Sequence, residues 1–333
     1  MALWTDVVSP AELTGFSREA ASQFDANAGT LSDVFPTVST SDVNFKWYVN
    51  EKVQDVASFR SFDAESKIGA AAGLEEKIAS LTPISLKKRF GEYDQLVRSG
   101  QNSPESVQAA ADRLASEVSQ GVVRRLIQAR GEALVTGALS INEDGVVANV
   151  DFGRRPDHTV DADVAWDAAG SDPIADLEAW RQAYVDHTGQ EPTGIKASPQ
   201  IVAALQRNEN LRGYLGTAAP TLLDRATVNS ILVGYGLPEI EVVNTRVAGQ
   251  PVLDGDYLVF TAAGAGATVY GTTIEASDPR YGLAGAALPG LVVGAYAEDD
   301  PNIKWIRANA VALPILGNPD LTFAARVLAI AGS

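Results

Sequence analysis

Cysteine is missing from all 333 residues, and histidine occurs only as His158 and His187. The first absence removes disulfide frameworks, thiolate nucleophiles and cysteine-based zinc or iron–sulfur sites. The second leaves little imidazole chemistry. No run of 18 uncharged apolar residues occurs, so no membrane span is expected. The opening MALWTDVVSP lacks a basic region followed by an apolar one, so no signal peptide is expected and the chain reads as cytoplasmic. Also absent are a Gly-x-Ser-x-Gly elbow, a His-Glu-x-x-His pair and a Gly-Lys-Ser/Thr phosphate loop. His158 sits beside Asp157, and His187 lies near the end of an expected helix, where a cation complements the dipole. Neither comes with the nucleophile and orienting acid of a serine triad in recognisable order. No catalytic, cofactor-binding or metal-binding residue is therefore assigned, and no cofactor is expected.

Positive charge is scarce as well: 26 Lys and Arg face 42 Asp and Glu, a net charge of -16. The imbalance is uneven. Up to Ala138 there are 14 basic and 18 acidic residues, net -4; from Leu139 onward there are 12 and 24, net -12. Whole-surface nucleic-acid binding, which needs a basic footprint, is excluded, although one less acidic face remains able to meet phosphate. The acidic half reads as a solvated surface that keeps a protein soluble at high concentration. A chain of this length and near-average apolar content buries a substantial core and suggests roughly two domains.

The most informative stretch runs from Ser103 to Gly137. Ser103 suits an N-cap, Pro104 the first helical position, Glu105 the positive end of the dipole and Gly137 a C-terminal stop. Val107, Ala111, Leu114, Val118, Val122, Leu126, Ala129 and Ala133 recur at three- and four-residue steps. They predict one amphipathic helix of about nine turns, roughly 50 Å long. Arg113, Glu117, Arg124, Arg125 and Arg130 fall on the opposite, wet face. A coiled coil is the weaker alternative, because heptads with paired e and g charges are not sustained.

Before this helix, Ser9-Pro10-Ala11-Glu12 has the form of a capping box, followed by a short stripe of Leu13, Phe16, Ala20 and Phe24. Asp25 to Ser41 is polar with Gly29 and Pro36 and reads as an extended arm. Val43, Phe45, Trp47 and Val49 alternate as a strand, and Ile78 to Leu86 forms a second strand-like tract ahead of Lys87-Lys88-Arg89. Little between them can be buried. The span reads as a two-stranded excursion, either a clasp on another subunit or a mobile flap, because an isolated hairpin is marginal in water.

After the helix, short strand-like pieces flank the turn residues Asn142 to Gly145. Asp172-Pro173 and Ser198-Pro199 each open a helix, Thr221 opens a third ending at Gly234 or Gly236, and strands are expected at Glu239 to Asn244, Asp256 to Ala262 and Leu291 to Tyr296. Together these make an acidic α/β module. Two last tracts, Lys304 to Leu316 and Leu321 to Ile330, read as a hairpin around Gly317-Asn318-Pro319-Asp320, lying beneath the long helix. Thr261 to Ala267 is rich in glycine, but strand follows where a phosphate loop needs a helix, so it reads as a connection. Glu298-Asp299-Asp300, Asp254-Gly255-Asp256 and Asp161-Ala162-Asp163 lack calcium-loop spacing and read as solvated turn acids.

In their order these pieces resemble the major capsid protein of tailed bacteriophages, of the lambda-type capsid family. The residues that carry the likeness are Gly131 to Leu139, Val150-Asp151-Phe152-Gly153-Arg154 with Trp166, and Asp172 to Trp180. Lys196-Ala197-Ser198-Pro199, Leu237-Pro238 and Ala312 to Asp320 complete it. The resemblance implies an α+β Hong Kong 97-type fold: N-terminal arm over 1–41, E-loop over 42–89, P-domain over 90–165 with the spine helix at 103–137, A-domain over 166–299 and P-domain return strands over 300–333. It implies a non-enzymatic protein that assembles with itself as hexamers and pentamers into an icosahedral shell around double-stranded DNA. Assembly in the host cytoplasm, localisation to the virion and contacts with portal, scaffold or decoration proteins follow from the same likeness. The less acidic segment, with Arg113, Arg124, Arg125 and Arg130, is expected to face the DNA. Some members of the wider fold join an E-loop lysine to a neighbour's asparagine. Lys46, Lys52, Lys67 and Lys77 are available, but nothing marks one as reactive and no cross-link is predicted. Two rivals stay open, a protein-filled bacterial nanocompartment shell and a soluble metal-dependent hydrolase.

Overall fold

A computed structural model describes residues 2–3, 9–50, 74–91, 104–143, 145–216, 220–284, 289–299 and 302–329. In chain order its first elements are β1 (Ala2–Leu3), α1 (Pro10–Asp25), β2 (Thr37–Ser39), β3 (Asn44–Asn50), β4 (Leu74–Ser80), β5 (Thr82–Phe90) and α2 (Pro104–Thr136). There follow β6 (Ala138–Glu143), β7 (Val146–Asp151), β8 (Thr159–Asp161), α3 (Pro173–Thr188), β9 (Gly194–Ala197), α4 (Pro199–Arg207), α5 (Glu209–Gly213) and α6 (Arg225–Gly234). The remainder is β10 (Ile240–Val242), β11 (Arg246–Val247), β12 (Gln250–Pro251), β13 (Tyr257–Thr261), β14 (Ala267–Tyr270), β15 (Val292–Asp299), β16 (Asn302–Ile315) and β17 (Thr322–Arg326).

Helix α2 spans 33 residues, and its periodic residues from Ala111 to Ala133 are all buried. It ends at Gly137, whose φ of 71° needs a residue without a Cβ. Arg154 lies at the same end and donates to the Leu134 and Val135 carbonyls at 2.6 and 2.5 Å, filling acceptors that a helix terminus leaves open. Burial pushes that guanidinium down to about 10. The helix is dry on more than one stripe, because it lies between β16 and α1: Ala115, Ser119, Ile127, Arg130 and Leu134 are also inaccessible. Its two interior glycines mark close approaches, Gly121 to Leu86 of β5 and Gly131 to the Val252 carbonyl.

Two sheets flank one continuous core. The first has the order β1-β15-β16-β14-β2, with β5 along the other side of β16. The second has the order β10-β9-β13-β17-β8 and carries the acidic module. Several expectations give way here. The C-terminal tracts are not a hairpin: β16 pairs with β5, β14 and β15, whereas β17 sits between β13 and β8 in the other sheet. Likewise β14 and β15 belong to the first sheet rather than to the module, and Thr82–Phe90 extends that sheet rather than the excursion. Alternation of apolar residues reveals a strand but not its neighbours, which lie far away in sequence.

The N-terminal region differs as well. Ser9 makes no side-chain cap, so the capping box does not form. The buried face of α1 is Leu13, Thr14, Ser17 and Ala21, and Phe16 is 45% exposed. The reason is the bare edge of β15: Thr14 Oγ1 donates to the Val293 carbonyl at 3.1 Å and accepts from its N–H at 3.2 Å, while Arg18 Nε donates to the Leu291 carbonyl. Polar side chains thus face inward to satisfy backbone that has no strand partner there. Leu31, Val34 and Phe35 are buried, so the stretch after α1 is packed against the core rather than extended.

Candidate functional site

The acidic module holds the only two imidazoles, and they meet. Nδ1–H of His158 donates to the Thr322 carbonyl at 3.2 Å, which leaves Nε2 to accept from His187 Nδ1–H at 3.0 Å. His158 is fully buried beside Tyr184 and Phe323, and burial holds its pKa below the ordinary imidazole range. No nucleophile stands in this pair, and its geometry is that of a structural clasp between β17 and α3. Nothing in the spacing of residues 158 and 187 announces the contact. Thr261 to Ala267 is a tight connection from β13 to β14, and a Cβ on Gly266 would lie 2.6 Å from Phe35. Asp161 pairs with Arg326 at 2.8 Å. Among the described residues no group of three or more His, Asp or Glu side chains is placed to hold a metal.

The four arginines expected on one wet face have separate fates. Arg113 is 61% exposed beside Glu117. Arg124 lies over the Phe24 ring at 5.0 Å, and Arg125 pairs with Glu143 at 3.1 Å. Arg130 is not on the surface at all. It is fully buried and holds Asp25 through both terminal nitrogens at 2.5 and 2.8 Å, with further bonds to Thr268 Oγ1 and the Thr30 carbonyl. A helix periodicity counts faces but cannot show that a second helix covers one of them. Lys196 is buried on β9, and its ammonium bridges Asp33 and Glu241, each at 2.5 Å, a pairing across 163 and 45 positions that the sequence does not announce.

The surface with most to offer a partner is the hairpin β3/β4, paired in register from Asn44↔Ser80 to Asn50↔Leu74. Alternation splits it into two faces. Phe45, Trp47, Lys77 and Ala79 turn toward the body: Trp47 and Ala79 are buried, the Trp47 and Phe152 rings lie 6.3 Å apart, and Lys77 Nζ donates to the Phe152 carbonyl at 3.0 Å. The other face presents Tyr48 and Ile78 at 57% and 56% exposure, next to the ion pair of Lys46 and Glu76 at 2.7 Å. That pairing raises the Lys46 pKa and lowers that of Glu76. Residues 51–73, including Lys52, Lys67 and the Phe59 to Gly73 stretch, lie outside the described residues. Tyr214, Leu222, Val233 and Tyr235 are further exposed apolar residues in the α5–α6 region, with the two tyrosine rings 5.3 Å apart.

A long helix across one sheet, a second sheet with its helices, and a hairpin outside both make up the architecture, and solved structures share it. The chain is similar to a phage-related protein of Bordetella bronchiseptica RB50, with a TM-score of 0.62 and 14% identity over 95% of this chain and 98% of that one. It is also similar to a chain assigned as a prophage capsid protein of Escherichia coli CFT073 (TM-score 0.65, 13% identity, 96% and 99% covered). The capsid of a native GTA particle follows (TM-score 0.53, 12% identity, 91% of each chain). The fold is of the Hong Kong 97 capsid type. Residues 35–327 match the model of the phage major capsid protein E family, and the chain belongs to that family. It is a capsid shell protein, which disfavours the nanocompartment and hydrolase readings. No curated protein matches the chain. No described helix is long and apolar enough to cross a membrane.

Proposed function

We propose that copies of this chain close as hexamers and pentamers into an icosahedral shell around double-stranded DNA, assembled in the host cytoplasm. The shell binds the DNA non-specifically and has no enzymatic role. The observation that carries this reading is the two-faced hairpin β3/β4, anchored on its own body through Trp47 and Lys77 yet open on the side of Tyr48 and Ile78. A lone hairpin gains little stability in water, and a second subunit over its open face supplies the missing burial. In this arrangement residues 1–41 serve as the arm and the hairpin with its tip as the E-loop. Helix α2 belongs to the P-domain, and the second sheet with its helices to the A-domain. The boundary of the E-loop then falls near Leu81, where β4 gives way to β5. The α2 side, with Arg113 exposed, faces the packaged DNA, which keeps the more acidic module away from phosphate. Portal, scaffold and decoration proteins are contacts of the assembled lattice rather than of the single chain.

Negative-stain microscopy of the purified protein, with nucleic-acid content read by absorbance, tests the reading directly. Closed particles carrying DNA are expected from cells that package it. Deleting Phe59 to Gly73 is expected to leave soluble subunits or capsomers that do not close. Intact shells from that deletion would show the excursion to be a surface flap.

A further inference from the structure

The imidazole clasp between β17 and α3 has room for one extra proton and not for two. A carbonyl only accepts, so the Thr322 carbonyl fixes a hydrogen on His158 Nδ1 and leaves Nε2 facing His187 Nδ1, 3.0 Å away. With both rings neutral, His187 Nδ1–H donates to His158 Nε2. With one proton added, either ring can carry it, because one of the two facing nitrogens still lacks a hydrogen and accepts. With two added, an N–H stands on each side of the gap and both rings are cations, so the bond gives way to repulsion. Among the described residues no carboxylate is in contact with either ring to absorb the second charge.

The surroundings do not relieve this. Burial is the largest influence on His158 and disfavours its cation; among the charges Asp320 favours it, while His187 and Arg154 oppose it. Asp320 is already engaged by Arg155 at 3.3 Å, and Arg154 is committed to the end of α2. Tyr184 of α3, stacked on His158, stays neutral because burial raises its pKa. Asp157 adjoins His158 in the chain and Asp186 adjoins His187, and both are exposed. Release at this point is local. The start of α3 is anchored by the Asp172 cap, by buried Ile174 and Leu177, and by the Trp166–Trp180 stack. Its last two turns are tied toward β17 by the imidazole bond and by the Tyr184 hydroxyl, which donates to the Leu321 carbonyl at 3.3 Å. We propose that the two imidazoles form an acid-operated catch, which holds the end of α3 against β17 at neutral pH and lets it go in acid while both sheets stay paired. Closed, the pair holds at most one proton; released, it holds two, each ring with an ordinary imidazole pKa of about 6.5. Release therefore takes up a proton: it is disfavoured above about pH 6.5 and gains up to about tenfold per pH unit below it. The catch lies within one subunit and goes beyond the shell reading, on which it does not depend.

The test uses the full-length chain and reads hydrogen exchange by mass spectrometry, corrected for the pH dependence of the chemical exchange step. The reporter is the end of α3, where the Gly189 N–H donates to the Val185 carbonyl at 2.7 Å, and β13 is the internal reference. In the parent, protection at the end of α3 is expected to fall about twentyfold from pH 7 to pH 5, while β13 is unchanged. His158→Asn keeps a donor for the Thr322 carbonyl but no ring to charge, so its fall is expected to stay under about threefold. His187→Asp, at a half-buried position, sets a carboxylate before His158 Nε2, which accepts only from the protonated ring. The folded pKa of His158 is then raised above its unfolded value, and the contribution is lost as pH rises, so protection is expected to be higher at pH 5 than at pH 7. Three results overturn the catch: a parent fall under about threefold, an equal fall in β13, or a fall in His187→Asp like that of the parent. None of them bears on whether the chain forms shells.

Discussion

Arg130 offers the sharpest test, because helix periodicity assigns it to a basic outer face and the fold makes it a buried tie between α2, the end of α1 and β14. Its side chain is 0% exposed, whereas that of Asp25 is 15% exposed and lines a cavity of about 430 Å3. Removing one partner of a buried ion pair costs about 3–5 kcal/mol, chiefly because the other charge is stranded. The two removals therefore differ. After Arg130→Met, the Asp25 carboxylate can still draw water from the cavity, so the loss is expected near about 3 kcal/mol. After Asp25→Ala, the guanidinium keeps only Thr268 and the Thr30 carbonyl and has no route to water, so the loss is expected near about 5 kcal/mol. The double variant is expected to cost less than the sum by about 1–3 kcal/mol. Urea unfolding of assembly-blocked subunits, followed by tryptophan fluorescence, measures all three. Equal single losses under about 1 kcal/mol with no coupling would refute the argument. The same cycle separates structure from packaging: Arg113→Glu, on an exposed residue, is expected to leave unfolding unchanged and to act on DNA content alone.

Three further outcomes follow from particular contacts. Gly131→Ala is expected to destabilise despite a helix-propensity gain of about 1 kcal/mol, since its Cβ meets the backbone oxygen of Val252; Gly121→Ala meets only the flexible end of Leu86 and is expected to be neutral or stabilising. Matching urea midpoints for the two would contradict this. Thr14→Val strands the N–H and carbonyl of Val293 on a buried edge and is expected to cost about 2 kcal/mol, with Thr14→Ser close to the parent and amide exchange at Val293 as the local readout. Because His158 has a pKa held below that of the unfolded chain, its contribution is intact above pH 6.5 and is lost as pH falls from there through the folded value. Urea midpoints at pH 8 and pH 5 should show a drop that His158→Gln diminishes; an identical drop in the variant removes the assignment.

Local signals made the helices legible. Pro104 and Gly137 bound a helix found at Pro104–Thr136, and Asp172, Ser198 and Asp224 each accept a backbone N–H at the start of α3, α4 and α6. These caps depend on residues three apart, which a sequence shows. Asp224 also explains why the third module helix begins at Arg225 rather than at Thr221: the capping carboxylate sits there. What stayed hidden depends on residues brought from far away. Asp25 and Arg130 are 105 positions apart, and Thr14 and Val293 are 279 apart. In both, a polar residue faces inward against the rule that reads polar as outside, and only its distant partner explains it. The exposed hairpin was legible for the opposite reason, since its alternation had nothing nearby to pack against.

Strand β17 changes what the module can be. Read as an insertion between α2 and the returning strands, the module is a cassette that enters and leaves the first sheet at one place. The chain instead runs from β14 through β15 and β16 in the first sheet and then, after Gly317 to Asp320, places β17 between β13 and β8. Phe323 on that strand packs among His158, Trp180 and Phe260, so β17 completes the module core. The second sheet is therefore finished only when β17 is in place, and the two sheets share one core. If neighbours in the proposed shell hold the hairpin at one side and the module at another, that crossing would carry load through covalent chain and a buried aromatic cluster rather than through a surface joint. The assembly surfaces can then lie at the edges without the subunit coming apart between them.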